Sequence, residues 1–225
     1  MGLQILLLGH PRFGSGYISK YFRAIGIDIG YYKYGKDGVS SWLIAPKENI
    51  FKTDGLTIDD KYFPFTRPNG FHLLCHVIRN PYTMIPSILD ENQNKLSYKF
   101  RKKVIHHYFG IDLDSYNSME RACISFIYWN QLIESQSPTY TFRMETIEKD
   151  IQQFIQRFFH SSEFKIVASR LPSSNYNHVP HPSMNWDMVS DDTILKLDKF
   201  CLKYKYMRIS RIIKRTTVQK LKISI

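Results

Sequence analysis

Apolar residues fall along this chain in two patterns: short continuous runs bounded by glycine or proline, and longer stretches in which they recur every three or four positions. The first pattern reads as buried strands and the second as amphipathic helices. Gln4–Gly9 predicts a strand, and after a glycine-rich turn Ile18, Phe22 and Ile25 predict a helix over Tyr17–Ile25 that Gly26 stops. Ile27–Gly30 predicts a short second strand, and Asp37–Ile44 the cap and start of a short helix. Prolines and charges from Pro46 to Gly70 predict an irregular excursion. Phe71–Ile78 predicts the third strand, and Asn80-Pro81 a cap and first-turn proline for a helix running toward Asp90. Beyond a basic stretch at Lys99–Lys103, a long helix over Ser118–Glu134 carries Met119, Cys123, Phe126, Ile127, Trp129 and Ile133. A fourth strand at Tyr140–Met144, a helix at Ile147–Phe159, a loop over Asn175–Asp187 and a last helix near Asp191–Tyr204 complete the series. This alternation predicts an α/β fold in three layers, a mainly parallel sheet flanked by helices.

Composition narrows the class. At 225 residues, 43% hydrophobic and 15% aromatic, the chain has enough for one domain with a sizeable core and is not a disordered polymer. Cys75, Cys123 and Cys201 are far apart and in apolar surroundings, which predicts reduced core residues rather than disulfides or a zinc site. The apolar run near the start is four residues long with no basic lead-in, so neither a signal peptide nor a membrane span is expected, and a cytoplasmic location follows. Position 6 is Leu, where an N-myristoylation signal has Ser or Thr.

The net charge of +11 is uneven: eight basic residues from Lys203 to Lys222, with no acidic residue among them, leave the rest at +3. A domain over residues 1–206 and a basic tail over 207–225 are therefore expected. Ile209, Ile212 and Ile213 lie at helical spacing among the tail's charges, which suits an anionic membrane or an acidic partner better than nucleic acid; the plain alternative is a solvated tail.

Two segments carry candidate chemistry. Gly9-His-Pro-Arg-Phe-Gly-Ser-Gly16 joins a buried strand to a helix, where backbone N–H groups and the positive helix end gather around an anion. The spacing Gly9-x-x-x-x-Gly14 matches the opening of an ATP-binding P-loop, but Ser15-Gly16 stands where Lys-Ser/Thr would follow. The ammonium for the β- and γ-phosphates and the hydroxyl for magnesium are thus missing, and Arg12 supplies a positive charge from inside the loop. The second segment, Arg79 to Ser87, begins at the end of the third strand and puts a guanidinium and a hydroxyl eight residues apart. An Arg at the carboxyl end of a parallel strand faces the crevice in which α/β sheets bind nucleotides. Read singly, the first segment is also a plain glycine-rich connection, and Arg79 and Ser87 a surface charge and a helix residue.

With both segments in order, the chain resembles the sulfotransferase family, whose 5′ motif is Arg or Lys-x-Gly-Thr/Ser-Thr/Ser and whose 3′ motif is Arg-x-Pro with Ser eight residues after the Arg. Arg12, Gly14 and Ser15 match the first, with Gly16 in place of its second hydroxyl residue, and Arg79 and Ser87 match the second. The resemblance implies a P-loop-type fold, 3′-phosphoadenosine 5′-phosphosulfate as sulfuryl donor and the 3′,5′-bisphosphate as product. By it, Arg12, Phe13, Gly14, Ser15, Gly16 and Tyr17 hold the 5′-phosphosulfate, and Arg79 and Ser87 the 3′-phosphate. Weaker landmarks are Trp129-Asn130, Phe142–Glu145, Asn175 to Asp187 and Lys203–Tyr206. Gly35-Lys-Asp-Gly-Val-Ser-Ser-Trp42 is similar to a stretch of the carbohydrate-directed bacterial and viral branch, which implies a glycan hydroxyl as acceptor. That branch often has a Glu base just after the second strand; this chain has Tyr31-Tyr32 there.

Sulfuryl transfer resembles phosphoryl transfer, in which positioning and charge stabilisation supply most of the acceleration, and by that analogy no metal is expected. Arg12 and the loop N–H groups would stabilise the leaving 5′-phosphate while a base takes the acceptor proton. The candidate bases are Asp37, His76 and His10, each with a plain alternative: a helix cap, a core-strand residue and a loop stabiliser. Lys99–Lys103 reads as a surface for an acidic glycan or as a solvated helix face. His178 and His181 lack a third ligand at metal spacing. The rival classes are a small P-loop kinase using ATP and magnesium, and a non-catalytic nucleotide-binding module.

Overall fold

The structure is a computed structural model that describes residues 3–47, 70–93, 95–159, 181 and 183–214. Most of the expected Pro46–Gly70 excursion, most of the loop from Asn175, His178 and the end of the tail from position 215 lie outside the described residues. The chain forms two compact units, one from Met1–Arg79 and Asn130–Pro180, the other from Asn80–Trp129 and His181–Ile225.

The first unit is built on a five-stranded, all-parallel sheet in the order β2-β3-β1-β4-β5, so the fold class is α/β. Its strands are β1 (Ile5–Leu8), β2 (Ile29–Tyr31), β3 (Gly38–Ser40), β4 (Leu73–Ile78) and β5 (Tyr140–Arg143). Every residue of β1, β3 and β4 is buried, as expected of strands covered on both faces. Helix α1 (Ser15–Ala24) buries Ile18, Tyr21 and Phe22 and stops at Gly26, whose φ of 91° lies in the left-handed region that ends helices. Helix α5 (Ile147–Phe158) buries Ile147, Ile151 and Phe154, with Glu148 and Asp150 in its first turn and Arg157 in its last, in the sense that suits the helix dipole. Phe22 of α1 and Phe154 of α5 both meet Phe142 of β5, at centroid distances of 5.7 and 5.0 Å.

One expected element is corrected. Asp37–Ile44 does not begin a helix: Gly38–Ser40 is β3, set between β2 and β1. A Cβ on Gly38 would come within 1.9 Å of the Ile5 carbonyl oxygen, so glycine here permits the close approach of the two strands.

The second unit is helical in its described part. Helix α2 (Pro81–Glu91) is capped by the Asn80 side chain, which accepts from the Tyr82 N–H, and has Pro81 in its first turn as expected. Helices α3 (Lys95–Phe109), α4 (Ser118–Glu134, of which Asn130 onward belongs to the first unit) and α6 (Asp191–Lys203) follow, with a further helical stretch at 209–214. Buried Glu120 of α4 accepts hydrogen bonds from the N–H and hydroxyl of Ser190, the N-cap of α6, and from the Thr193 hydroxyl. Arg101 of α3 is fully buried, donating to Ser125 on α4 and Asn92 at the end of α2, so it is not part of a solvated basic face. The three cysteines are buried and unpaired, and burial pushes the Cys201 thiol up to about 12. No helix among the described residues is long and apolar enough to cross a membrane.

Candidate functional site

In the first unit the chain leaves β1 toward β2 and β3 on one side, and β4 and β5 lie on the other. Such a reversal opens a crevice at the carboxyl ends of the strands on either side of it. The glycine-rich turn leaves β1 at this edge, and Arg79 follows β4, whose His76 is the register partner of Leu8.

The turn is shaped by its own sequence. A Cβ on Gly9 would lie 2.4 Å from the Phe13 ring and 2.7 Å from the Val77 carbonyl oxygen, so only glycine fits between turn and β4. The Phe13 N–H donates to the His10 carbonyl at 2.9 Å, with Pro11 second and Arg12 third at φ 80°. That is the pattern of a type II turn, whose third position favours glycine. An arginine there holds strained backbone and presents an exposed side chain at the sheet edge. Gly14, at φ 98°, has the Met144 methyl 2.8 Å from where a Cβ would sit. It precedes α1 without any side-chain cap, and no acidic residue stands in the first turn. The start of α1, at Ser15, Gly16 and Tyr17, therefore keeps the positive end of its dipole uncompensated by an acid of its own.

Tyr32, directly after β2, reaches the same turn: its hydroxyl is hydrogen-bonded to the Ser15 side chain and accepts from the Trp42 indole N–H at 2.7 Å. Burial, and then the neighbouring Tyr31, push the Tyr32 phenol well above its ordinary pKa, so it stays neutral. The ends of β1, β2 and β3 thus meet through Ser15, Tyr32 and Trp42. Trp42 closes the Gly35–Trp42 stretch that the sequence singled out, but its bond to Tyr32 beside the turn was not legible there, because only the insertion of β3 beside β1 brings it to that place.

The other expected site residues divide. Arg79 is half-buried at the carboxyl edge, and Phe13 is buried beneath the turn, where only its backbone can serve a ligand. Ser87 is buried within α2, in the second unit. His76 is fully buried in β4, its Nε2 bonded to Asn130 Oδ1 at 2.8 Å, and His10 is fully buried with Nδ1 donating to the Pro11 carbonyl at 2.6 Å. Asp37 does not join them. Its carbonyl accepts from the Ile5 N–H at 2.8 Å, and its carboxylate accepts from the Asp28 N–H at 2.7 Å. It sits at the amino end of β3, whose Gly38 pairs with Ile5, so the length of β1, roughly 13 Å, separates it from the turn. Asp37 is a brace of the β2–β3 connection and not a base at this edge.

Fold and edge together define an α/β domain with an all-parallel sheet and a cationic, glycine-rich strand-to-helix turn. Comparison with known protein families, with characterised proteins and with solved structures finds no match for this chain.

Proposed function

We propose that this chain is a sulfotransferase, taking the sulfuryl group of 3′-phosphoadenosine 5′-phosphosulfate to a hydroxyl acceptor, with a glycan as the acceptor class. The observation that carries the reading is the pair of arginines, Arg12 after β1 and Arg79 after β4, at the carboxyl ends of adjacent strands. Two cations at the carboxyl ends of adjacent strands, one of them in the turn that leads into a helix start, suit a nucleotide with two separate anionic groups. Arg12 and the N–H groups at the start of α1 bind the 5′-phosphosulfate, and Arg79 the 3′-phosphate. In the transfer the bond from sulfur to the bridging 5′-phosphate oxygen breaks. A bond from sulfur to the acceptor oxygen forms, and the acceptor proton passes to a base. Neutral Tyr32 donates or accepts a hydrogen bond but is no base at neutral pH. With Asp37 at the far edge, His10 and His76 are the bases to test. His10→Ala or His76→Ala is expected to lower turnover by about 10²–10⁴ at unchanged nucleotide affinity, whichever one serves.

Calorimetry with 3′,5′-bisphosphoadenosine and with ATP tests the reading: tight binding of the first and weak, magnesium-independent binding of the second are expected. Tighter, magnesium-dependent ATP binding would instead mean a kinase. A second reading, a nucleotide-binding module without turnover, draws on one observation, the neutral Tyr32 where the resemblance expects a carboxylate. Bisphosphate binding with no sulfuryl transfer to any glycan acceptor would select it.

A further inference from the structure

The nucleotide reading leaves the basic end of the chain unused, and the second unit gives that end a definite surface. From Leu195 to Lys214 every exposed residue is either a large aliphatic one, Leu195, Leu202 or Met207, or a lysine or arginine. The three aliphatic side chains are 54%, 61% and 46% exposed. Leu195 and Leu202 are seven residues apart on α6, two helical turns on one face, with Lys199 between them. The opposite face of α6 buries Thr193, Leu197, Asp198 and Cys201 in the unit.

Asp191 and Asp192, exposed in the first turn of α6, stand just before this stretch, with Asp192 paired to Lys196 at 2.6 Å, and from Leu195 through Lys214 no acid is exposed. Asp198, the last acidic residue of the chain, is buried and accepts from both the N–H and the hydroxyl of Ser210, at 3.2 and 2.5 Å. That link, together with fully buried Ile209, holds the stretch at 209–214 against α6. The apolar face expected from Ile209, Ile212 and Ile213 is therefore spent in part on the protein's own core. The aliphatic residues offered to solvent among the cations are different ones.

We propose that this face docks on an anionic lipid surface, with Leu195, Leu202 and Met207 entering the boundary between headgroups and acyl chains and the flanking lysines and arginines meeting the lipid anions. Both halves of the face are then used: the cations by charge complementarity and the leucines by transfer out of water. A nucleic acid would satisfy the cations but offers its phosphates nothing for three exposed aliphatic side chains.

Co-sedimentation of the full chain with phosphatidylcholine vesicles, with and without phosphatidylserine, tests this. Binding is expected only with phosphatidylserine present, and to fall as salt is raised. Lys203→Gln and Arg208→Gln are each expected to weaken it about fivefold, the worth of one cation near an anionic surface. Leu195→Ser with Leu202→Ser is expected to weaken it tenfold or more. Far-UV circular dichroism checks that each variant folds, and Leu202→Ser alone carries the same test should the pair fail to. Absence of binding, or equal binding to vesicles without phosphatidylserine, would overturn the proposal. So would vesicle binding that the leucine variants leave intact: that marks a site for polyanions in general, and binding of a short DNA duplex with the same indifference to the leucines would identify it as one.

Discussion

Arg12 shows how one residue can serve two opposed demands. At φ 80° it occupies backbone that costs a non-glycine residue about 1–2 kcal/mol, yet its side chain is the cation of the turn. Arg12→Gly is accordingly expected to raise thermal stability by about 0.5–1 kcal/mol, the relief of strain less the greater freedom of glycine in the unfolded chain. The same change should weaken 3′,5′-bisphosphoadenosine by about 1.5–3 kcal/mol, the range for a hydrogen bond to a charged group. Differential scanning calorimetry and titration calorimetry on one variant read both. Arg79→Ala is expected to cost the bisphosphate a similar amount and 5′-AMP little, since only the former has a 3′-phosphate. Equal losses for both ligands would remove Arg79 from the 3′-phosphate. Position 32 carries a different lesson: a half-buried phenol, hydrogen-bonded to Ser15 and Trp42, ties the end of β2 to the turn without adding charge.

Between elements, the best defined link is the one from α4 to the start of α6. Burial raises the pKa of the Glu120 carboxyl, but the hydrogen bonds from the Ser190 and Thr193 hydroxyls and the Ser190 N–H outweigh it and hold the group below the usual range. A carboxyl depressed in the fold contributes stability that is fully present above its unfolded value, near 4.3, and lost as pH falls through the folded one. Glu120→Gln is expected to lower stability by about 1–3 kcal/mol at neutral pH, because an amide puts a donor where two donors converge. The gap between variant and parent should narrow as pH is taken below about 4. Urea unfolding at neutral and acidic pH measures it, and a gap that stays constant would mean the loss is one of packing.

For the whole molecule the expectation is a linkage effect. A ligand that binds only the folded chain stabilises it by about 2.7 kcal/mol at a hundred times its dissociation constant. The bisphosphate is expected to raise the melting temperature of the parent protein, by less in Arg12→Gly and Arg79→Ala, and ATP to raise it only slightly, equally with and without magnesium. A magnesium-dependent shift with ATP larger than the shift with the bisphosphate would count against two separate anion sites. Melting followed with and without phosphatidylserine vesicles separates the lipid face of the second unit from the nucleotide edge of the first, because Leu195 and Leu202 variants should alter only the former response.

Much of the fold was legible in the chain itself. The buried runs of β1 and β4 and the periodic faces of α1, α4, α5 and α6 are local patterns, and each of these elements, with β5, lies within a few residues of its expected place. The glycine-rich turn and Arg79 were legible too, since a strand followed by Gly9–Gly14, and a strand followed by Arg, bring their chemistry to the strand's end by sequence alone. What the chain could not show is which segments become neighbours. Periodicity reports that a face is buried and not by what, and β1 pairs with β3 and β4, strands that lie far along the chain from it. So β3, three residues long and held by partners on both sides, read as the start of a helix, and Asp37 with it as a base. The meeting of Ser15, Tyr32 and Trp42, the burial of Arg101 and the turning inward of Asp198 were likewise decided by tertiary structure. Each depends on a backbone or side-chain partner brought from another element, and no local pattern encodes such a partner.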